Sequence, residues 1–266
     1  AKVDELVLYS LCGAELELAL ANKNHKRAMK VYQEFAPLKG EDPQTFHYNM
    51  GCFQSLLGEK DKAIESLSKS MEMGYDDICY IEEDTDWDNV RSEKAFQDLL
   101  AKYRDKINQQ QMAQVDVMYM QPTGLTYKVE GTLADGKKLD EAALPGKGRL
   151  ICVWSAKSPS CVKFLAECEK LAGKFKGQPI SFVSIGYTGE SGISQEEKGQ
   201  KLAALLSEKR VTIPCIVGDK GMKKALPPTT NLPIIMALDA KGNVKYWAGG
   251  YRNSAIMEKV VQNLLK

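Results

Sequence analysis

The residues of this chain that are best suited to nucleophilic or redox chemistry are its cysteines. There are seven of them: Cys12, Cys52, Cys79, Cys152, Cys161, Cys168 and Cys215. Their number is odd, no two are spaced as Cys-x-x-Cys, and most lie within apolar helix or strand patterns. This distribution predicts buried free thiols, and neither a disulfide framework nor a zinc site. The two histidines, His25 and His47, have no cysteine or histidine partner at metal-ligand spacing, so no metal centre is predicted.

One cysteine, Cys161, lies where the start of a helix can activate a thiol. The segment Trp154-Ser-Ala-Lys-Ser-Pro-Ser-Cys161 joins a predicted buried strand, 150–154, to a predicted amphipathic helix, 162–175. Backbone dipoles at a helix start lower the pKa of a thiol and stabilise its thiolate. Three residues before Cys161, just ahead of the helix, lies Ser158, and a hydroxyl cannot exchange disulfides at neutral pH. Serine is a favoured N-cap, and proline is favoured at the first helical position, so Ser158 and Pro159 have a structural explanation.

Because position 158 is a serine, a disulfide partner for Cys161 would have to come from elsewhere in the chain. Cys168 follows Cys161 by two helical turns, or about 10 Å at a rise of 1.5 Å per residue. The Cα atoms of a disulfide lie within about 7 Å of each other, so this pair cannot form without unwinding of the helix. Cys152 and Cys215 are predicted to be core residues of two strands. A different pair of cysteines stays an open alternative.

The second half of the chain alternates between predicted strands and predicted helices. Strands are predicted at 125–133, 150–154, 180–187, 211–217, 233–238 and 244–248, and helices at 162–175, 195–209 and 254–265. The turn Lys241-Gly-Asn243 predicts a hairpin between the last two strands. This order predicts an α/β sheet that is covered on both faces.

Over about residues 120–266 the chain resembles thioredoxin-like proteins of the thiol–disulfide interchange (TlpA) type. The segment from Trp154 to Cys161 aligns with the family's strand, Trp-Ala and Cys-x-x-Cys motif, Asn231-Leu-Pro233 aligns with its cis-proline, and 239–244 with its hairpin. The resemblance implies that Ser158 replaces the nucleophilic cysteine and that Cys161 is the candidate redox residue that remains. It also implies that Trp154 and Pro233 belong to a face that aligns an extended peptide. Backbone pairing with a peptide needs no thiol.

Residues 4–104 predict paired amphipathic helices with almost no strand signal. The clearest unit has Tyr48-Asn-Met-Gly51 in its first helix, Gly58 at the turn, and Ala63 in the second helix. This pattern resembles a tetratricopeptide repeat, whose period is about 34 residues. A weaker copy precedes it, so that the resemblance covers roughly residues 5–74. It implies that a groove binds a partner, with Tyr48, Asn49 and Phe53 as candidate groove residues, although Phe53 is also a candidate core residue.

Residues 73–100 resemble the segment that closes such repeats, and Trp87, Val90, Phe96 and Leu99 are expected to pack on the last repeat. This segment also contains Asp84, Asp86 and Asp88, which are spaced like the start of an EF-hand loop. The glycine of that loop is replaced by Asn89, and its bidentate glutamate by Ala95. Calcium is therefore not predicted, and the acidic residues are expected to cap the following helix.

Composition and charge exclude several classes of function. The chain has 266 residues, of which 44% are hydrophobic and 27% charged, as in ordinary globular domains, and its formal net charge is +1. Neither nucleic acid nor an anionic membrane is an expected partner at this charge. The longest apolar runs, 150–154 and 232–238, are too short to span a bilayer. No Walker A, Gly-x-Gly-x-x-Gly, His-Glu-x-x-His or Gly-x-Ser-x-Gly motif is present, so no cofactor is predicted.

The sequence therefore predicts a multi-domain protein: an all-α tetratricopeptide-like domain at 1–110, a linker at 111–122 that ends at Pro122, and an α/β thioredoxin-like domain at 123–266. The predicted function is a scaffold that binds a protein or extended peptide without redox chemistry. The alternatives are a thiol–disulfide oxidoreductase or glutathione-dependent protein that uses Cys161 alone, and a chaperone-like client binder. Free thiols favour the cytoplasm, whereas a start at Ala1 without methionine favours export; the periplasm is preferred.

Overall fold

The computed structural model describes residues 2–121, 123–139, 142, 144, 146–227 and 232–266, with the side chains of α1 described from residue 7 onward. The chain divides into two compact units, 1–105 and 106–266. Pro122, at the predicted end of the linker, and Asn231, in the predicted proline motif, lie outside the described residues. In the part of the chain that is described, no helix has both the length and the hydropathy required to cross a bilayer.

The first unit is helical, which confirms the expectation of a helical N-terminal half. Its helices are α1 Lys2–Ala21, α2 His25–Lys39, α3 Pro43–Leu56, α4 Lys60–Glu72, α5 Ile78–Glu83 and the start of α6 Lys94–Met120, with a 3-10 turn at Thr85–Trp87. Helix α1 packs on α2, and α3 packs on α4. Asp42 caps α3 by accepting a hydrogen bond from the backbone N–H of Thr45, and Gly58 follows α3 with φ +75°.

Helices α3 and α4 come close together at Gly51. A Cβ atom on Gly51 would lie 2.4 Å from the indole ring of Trp87 and 3.2 Å from the backbone oxygen of Ala63. Ala63 and Trp87 are fully buried. The expected packing of Trp87, Val90 and Phe96 is observed, but Leu100 is buried more deeply than Leu99, because Leu100 lies one helical turn beyond Phe96. Glycine is thus required sterically at position 51.

The second unit is built on a five-stranded sheet with the order β5-β4-β3-β6-β7. Its strands are β3 Gly148–Ser155, β4 Ile180–Tyr187, β5 Cys215–Val217, β6 Ile234–Asp239 and β7 Val244–Gly249, and a separate pair is formed by β1 Gly131–Thr132 and β2 Lys138–Leu139. Strands β3, β4 and β5 are parallel, whereas β6 is antiparallel to both β3 and β7. The helices are α7 Pro159–Lys174, α8 Gln195–Glu208, α9 Lys220–Ala225 and α10 Ser254–Leu265.

The central strand β3 is buried on both faces, as expected of a strand in an α/β sheet. Leu150, Cys152 and Trp154 belong to one hydrophobic cluster, whereas Ile151 and Val153 belong to another. Helices α7, α8 and α10 contribute to the first cluster, and residues of 125–139 and α9 contribute to the second. The α/β sheet with both faces covered is therefore confirmed for about half the chain.

Two predicted segments differ from the observed structure. The strand expected at 211–217 is reduced to β5, because the backbone N–H groups of Thr212 and Ile213 donate to the carboxylate of Glu169 instead of to a neighbouring strand. Of the strand expected at 125–133, only β1 and isolated bridges at Thr126 and Leu133 form. The shortening of the strand expected at 211–217 is therefore due to a side-chain acceptor, Glu169, that is distant in sequence.

The residues predicted as a linker, 111–122, are helical as far as Met120 and belong to the second unit, which begins at Lys106. Val115 is fully buried, the hydroxyl of Tyr119 donates to the backbone oxygen of Val260 at 2.6 Å, and Lys259 pairs with Asp116 at 2.6 Å. This packing of the end of α6 on α10 explains why a polar sequence stays helical. The domain limits drawn from the sequence stay a prediction.

The steric requirement at Gly51 gives a test of the first unit. Gly51→Ala is expected to lower the free energy of unfolding by about 1–3 kcal/mol, because the added methyl group overlaps Trp87. Gly13→Ala is the matched control, since its Cβ would meet Phe35 at no less than 3.6 Å, and alanine favours a helix over glycine by about 1 kcal/mol. Chemical denaturation followed by far-ultraviolet circular dichroism measures both. Equal stability of the two variants would contradict this packing.

Candidate functional site

The candidate site begins where β3 ends and α7 starts. Ser158 is the N-cap of α7, and its Oγ accepts a hydrogen bond from the backbone N–H of Cys161 at 3.4 Å. Pro159 occupies the first helical turn, where no backbone N–H donor is needed. The Oγ of Ser160 lies 3.0 Å from that of Ser158. The serine hydroxyl therefore accepts one of the open N-terminal amides of α7, as the sequence predicts from residue type.

Cys161 lies inside the protein. Its exposure is 0%, and it belongs to the same core cluster as Trp154, Phe164 and Cys168. Trp154 is also fully buried, and Gly186 on β4 leaves space for its indole ring, because a Cβ there would lie 3.0 Å from it. In this conformation neither Cys161 nor Trp154 is exposed to a partner or a disulfide substrate. Their predicted parts in redox chemistry or in binding stay predictions.

All seven cysteines of the chain are buried. Burial raises the pKa of the Cys215 thiol, and burial together with the Asp84 carboxylate raises that of Cys52. A thiol with a raised pKa contains little thiolate, which is the nucleophilic form. Cys52 and Cys215 are therefore poor nucleophiles in the native state.

Pro233 immediately precedes β6, whose first residue, Ile234, pairs with Val153 near the end of β3. The Leu232–Pro233 peptide bond is cis, and the proline ring is buried. The neighbouring side chains of Leu232 and Ile234 line a cleft of about 520 Å³. The role of Pro233 in aligning a peptide, which the resemblance implies, stays a prediction.

This cleft lies at the carboxyl ends of β3, β4 and β5, where ligands of open α/β sheets commonly bind. Ser155, Tyr187 and Gly218 come from the ends of these three strands. Three lysines also line it, Lys198, Lys220 and Lys223, together with Glu190 and Asp219. No local sequence motif predicts that these residues meet, because they lie at strand ends that are far apart in the chain.

The predicted groove residues of the helical unit mostly lie in its interior. Tyr48 is buried, and its hydroxyl donates to Asp84 Oδ2 at 2.6 Å and accepts from the indole Nε1 of Trp87 at 3.0 Å. Asn49 is partly buried, and its side-chain amide donates to the hydroxyl of Tyr32 at 2.7 Å. Phe53 is buried and packs against Tyr32, with ring centroids 5.5 Å apart. These three residues join helices, and their predicted part in partner binding stays a prediction.

The acidic turn contains the one group of potential metal ligands found among the described residues. Ligand atoms of Cys52, Asp84 and Asp86 lie within 4.8 Å of one another. Asp84 already accepts hydrogen bonds from Tyr48 and from the backbone N–H of Asp86, and Asp88 pairs with Arg91. Burial raises the pKa of the Cys52 thiol, which disfavours the thiolate that would bind a metal. The turn is thus a hydrogen-bonded capping element, and we propose no metal there.

Comparison with known proteins gives neither a matching family nor a matching curated relative. No model of a known protein family matches the chain. No curated protein matches it either.

Several solved structures are similar to the second half of the chain. A thiol:disulfide interchange protein of the thioredoxin family from Chlorobium tepidum has 19% sequence identity and a TM-score of 0.46, with 55% of this chain and 98% of that chain covered. A secreted Mycobacterium tuberculosis disulfide oxidoreductase homologous to E. coli DsbE has 15% sequence identity and a TM-score of 0.42, with 51% of this chain and 95% of that chain covered. StoA from Bacillus subtilis has 14% sequence identity and a TM-score of 0.42, with 52% of this chain and 98% of that chain covered.

The thioredoxin-like fold of the second unit follows from its own topology. A strand pair precedes a β-α-β-α-β series, and the short helix α9, two antiparallel strands and a final helix complete the unit. Ser158, which caps α7, lies at the start of the helix that follows the central strand. The unit therefore has a thioredoxin-like α/β fold.

The cap on α7 can be tested by substitution. Ser158→Ala is expected to lower the free energy of unfolding by about 1 kcal/mol, because the N-terminal amides of α7 lose their side-chain acceptor. Ser158→Asp is the matched control and should retain the stability of the wild type, since aspartate caps equally well. Denaturant unfolding of the full chain measures both. A neutral alanine variant would show that the hydroxyl does not stabilise α7.

Proposed function

We propose that this protein is a noncatalytic protein-interaction protein. In this proposal a tetratricopeptide-like helical unit binds a partner protein, and the thioredoxin-like unit binds an extended peptide without exchanging disulfides. The observation that carries the proposal is the position of the sulfur and oxygen atoms at the start of α7. The start of the helix carries the half-buried Ser158 hydroxyl, whereas Cys161 is fully buried.

Thiol–disulfide exchange requires a thiolate that can reach the sulfur of its substrate. Ser158 has no sulfur, and Cys161 could attack a substrate only if the first turn of α7 opened. That opening would break the hydrogen bond from the Cys161 N–H to Ser158 and expose the apolar neighbours of Cys161, Phe164 among them. The arrangement therefore favours recognition over reaction at this face.

The helical unit offers an apolar surface for a partner. Val7, Leu11 and Leu18 are 53%, 63% and 64% exposed, and their spacing of four and seven residues places them on one face of α1. Cys12 and Ala19, which are also seven residues apart, are buried against the rest of the unit. A contiguous exposed apolar face is typical of a surface that docks another protein. An amphipathic helix of a partner fits such a face.

The cleft of the thioredoxin-like unit has the charge to bind an acidic peptide. Its glutamate, Glu190, pairs with Lys201, and the side chain of Asp219 accepts a hydrogen bond from the backbone N–H of Met222 at the start of α9. No ion pair involves Lys198, Lys220 or Lys223 among the residues that the structure describes. The cleft is thus cationic, and an extended peptide with acidic side chains is the proposed ligand.

The absence of thiol exchange is tested by insulin reduction with dithiothreitol as the electron source. Wild type and Cys161→Ser are expected to give the same uncatalysed rate, because Cys161 is buried. Ser158→Cys is expected to raise the rate several-fold, because it places a thiol at the helix start, where a thiolate is stabilised. Turnover by the wild type that disappears in Cys161→Ser would overturn the noncatalytic proposal and favour the alternative of a one-thiol oxidoreductase.

Partner binding is tested with a phage library of linear peptides. Wild type is expected to enrich peptides with apolar residues at helical spacing, and the double variant Leu11→Ser, Leu18→Ser is expected to lose that enrichment. Glu17→Ser is the control, since it makes a serine substitution at another exposed position of the same helix. Lack of enrichment by the wild type, or equal enrichment by the double variant, would count against α1 as the binding surface.

A further inference from the structure

Two cysteines of the thioredoxin-like unit, one in a strand and one in a helix, are in contact in its core. Cys152 lies in the central strand β3, on the face that packs against α7, and Cys168 lies in α7 itself. Alternate residues of a strand face the same side, so Cys152 shares its face with Leu150 and Trp154. Cys168 follows Cys161, Phe164 and Leu165 on the buried face of the helix.

The sulfur atoms of Cys152 and Cys168 are 2.7 Å apart. Carbon atoms, which are smaller than sulfur, make their best nonbonded contact at about 3.5–4.0 Å. A disulfide bond brings sulfur atoms to about 2.05 Å, so the observed separation is closer to a bond than to a contact. Both cysteines have 0% exposure, and the sulfur of Met257 on α10 lies 3.8 Å from that of Cys168. The two thiols thus have little space in which to move apart.

We propose that Cys152 and Cys168 form a disulfide bond that links α7 to the central strand. The oxidant is a low-molecular-weight disulfide such as oxidised glutathione. The thiolate of one cysteine attacks it, which forms a mixed disulfide and releases one glutathione thiolate. The thiolate of the other cysteine then displaces the second glutathione thiolate. In total, two protein thiols lose two electrons and two protons, and one glutathione disulfide becomes two glutathione thiols.

The bond has to form before the core closes. Burial, together with the neighbouring Cys152, raises the pKa of Cys168, so the folded protein contains very little of the reactive thiolate. No solvent path reaches either sulfur once α7 is packed on β3, since both side chains are fully buried. Oxidation during folding is therefore fast relative to oxidation of the reduced, folded chain, and the completed bond is protected from reductants.

This bond has a consequence for the motif at the start of α7. The cysteines are sixteen residues apart in sequence, and the loop that they close contains Ser158 and Cys161. A link from α7 to β3 opposes the opening that would expose Cys161. The bond also requires an oxidising compartment, because cytoplasmic thiols are kept reduced. The inference extends beyond the proposed binding function, since it concerns covalent structure and not a ligand.

Peptide mapping identifies the bond directly. The full chain is refolded in a buffer of reduced and oxidised glutathione, unfolded in guanidinium with N-ethylmaleimide, and digested with trypsin. Cleavage after Arg149, Lys157, Lys163 and Lys170 separates Cys152, Cys161 and Cys168 into the peptides 150–157, 158–163 and 164–170. We expect 150–157 linked to 164–170, with the other five of the seven cysteines alkylated. Alkylation of all seven, or a link between any other two peptides, would overturn the proposal.

Unfolding of matched variants gives a second measurement. A reductant added with guanidinium is expected to lower the denaturation midpoint of the wild type, because a cross-link of this length restricts the unfolded chain. The midpoint of Cys161→Ala should fall in the same way, since this cysteine of α7 lies outside the proposed pair. The midpoint of Cys168→Ala should not respond to the reductant. A wild-type midpoint that does not respond, or a Cys168→Ala midpoint that does, would contradict the bond.

Discussion

The packing of α7 on the central strand β3 is the interaction on which the thioredoxin-like unit depends. Phe164, Leu165 and Cys168 fill the space above Leu150 and Cys152, and all of them are essentially inaccessible to solvent. This contact determines which atoms of α7 reach the surface. Because the helix begins at Pro159, its open amides lie at the end of β3, and its first buried residues are Ser160 and Cys161. The serine that precedes the helix is the residue that meets those amides.

The same constraint relates structure to function. A helix start can stabilise either a thiolate or a hydroxyl cap, and the residue type decides which. With serine at this position the dipole of α7 stabilises the helix itself, and the nearest sulfur points into the core. The recognition that we propose for the cationic cleft and for the apolar face of α1 does not depend on a thiol. Fold and site chemistry are therefore separable in this unit.

The helical unit depends on a different interaction, a buried hydrogen-bond chain. The indole of Trp87 donates to the hydroxyl of Tyr48, which donates to the carboxylate of Asp84. The chain joins the acidic turn to α3 and satisfies polar groups that would be costly to bury alone. Asp84 and Asp88, which suggest a calcium loop in the sequence, thus have structural partners, and Tyr48, which suggests a groove, is a buried member of the hydrogen-bond chain.

Local signals in the sequence predict much of this structure. Serine followed by proline marks the start of α7, and the apolar run marks β3. The sequence does not predict features that depend on distant residues. The end of α6 stays helical because Val115 and Tyr119 pack in the second unit, Glu169 takes the amides that would extend β5, and the cleft combines the ends of three strands. Periodicity also cannot place Cys152 opposite Cys168, since one lies in a strand and the other in a helix.

The burial of Cys161 is tested most directly by alkylation of the native chain. Iodoacetamide is added without denaturant, and the modified fraction of the peptide 158–163 is followed over time by mass spectrometry. The account predicts that Cys161 is alkylated only as fast as the unit unfolds, so that a stabilising condition slows both processes equally. Rapid alkylation of Cys161 in the fully folded protein would contradict the account, because it would place a reactive sulfur at the surface of the motif.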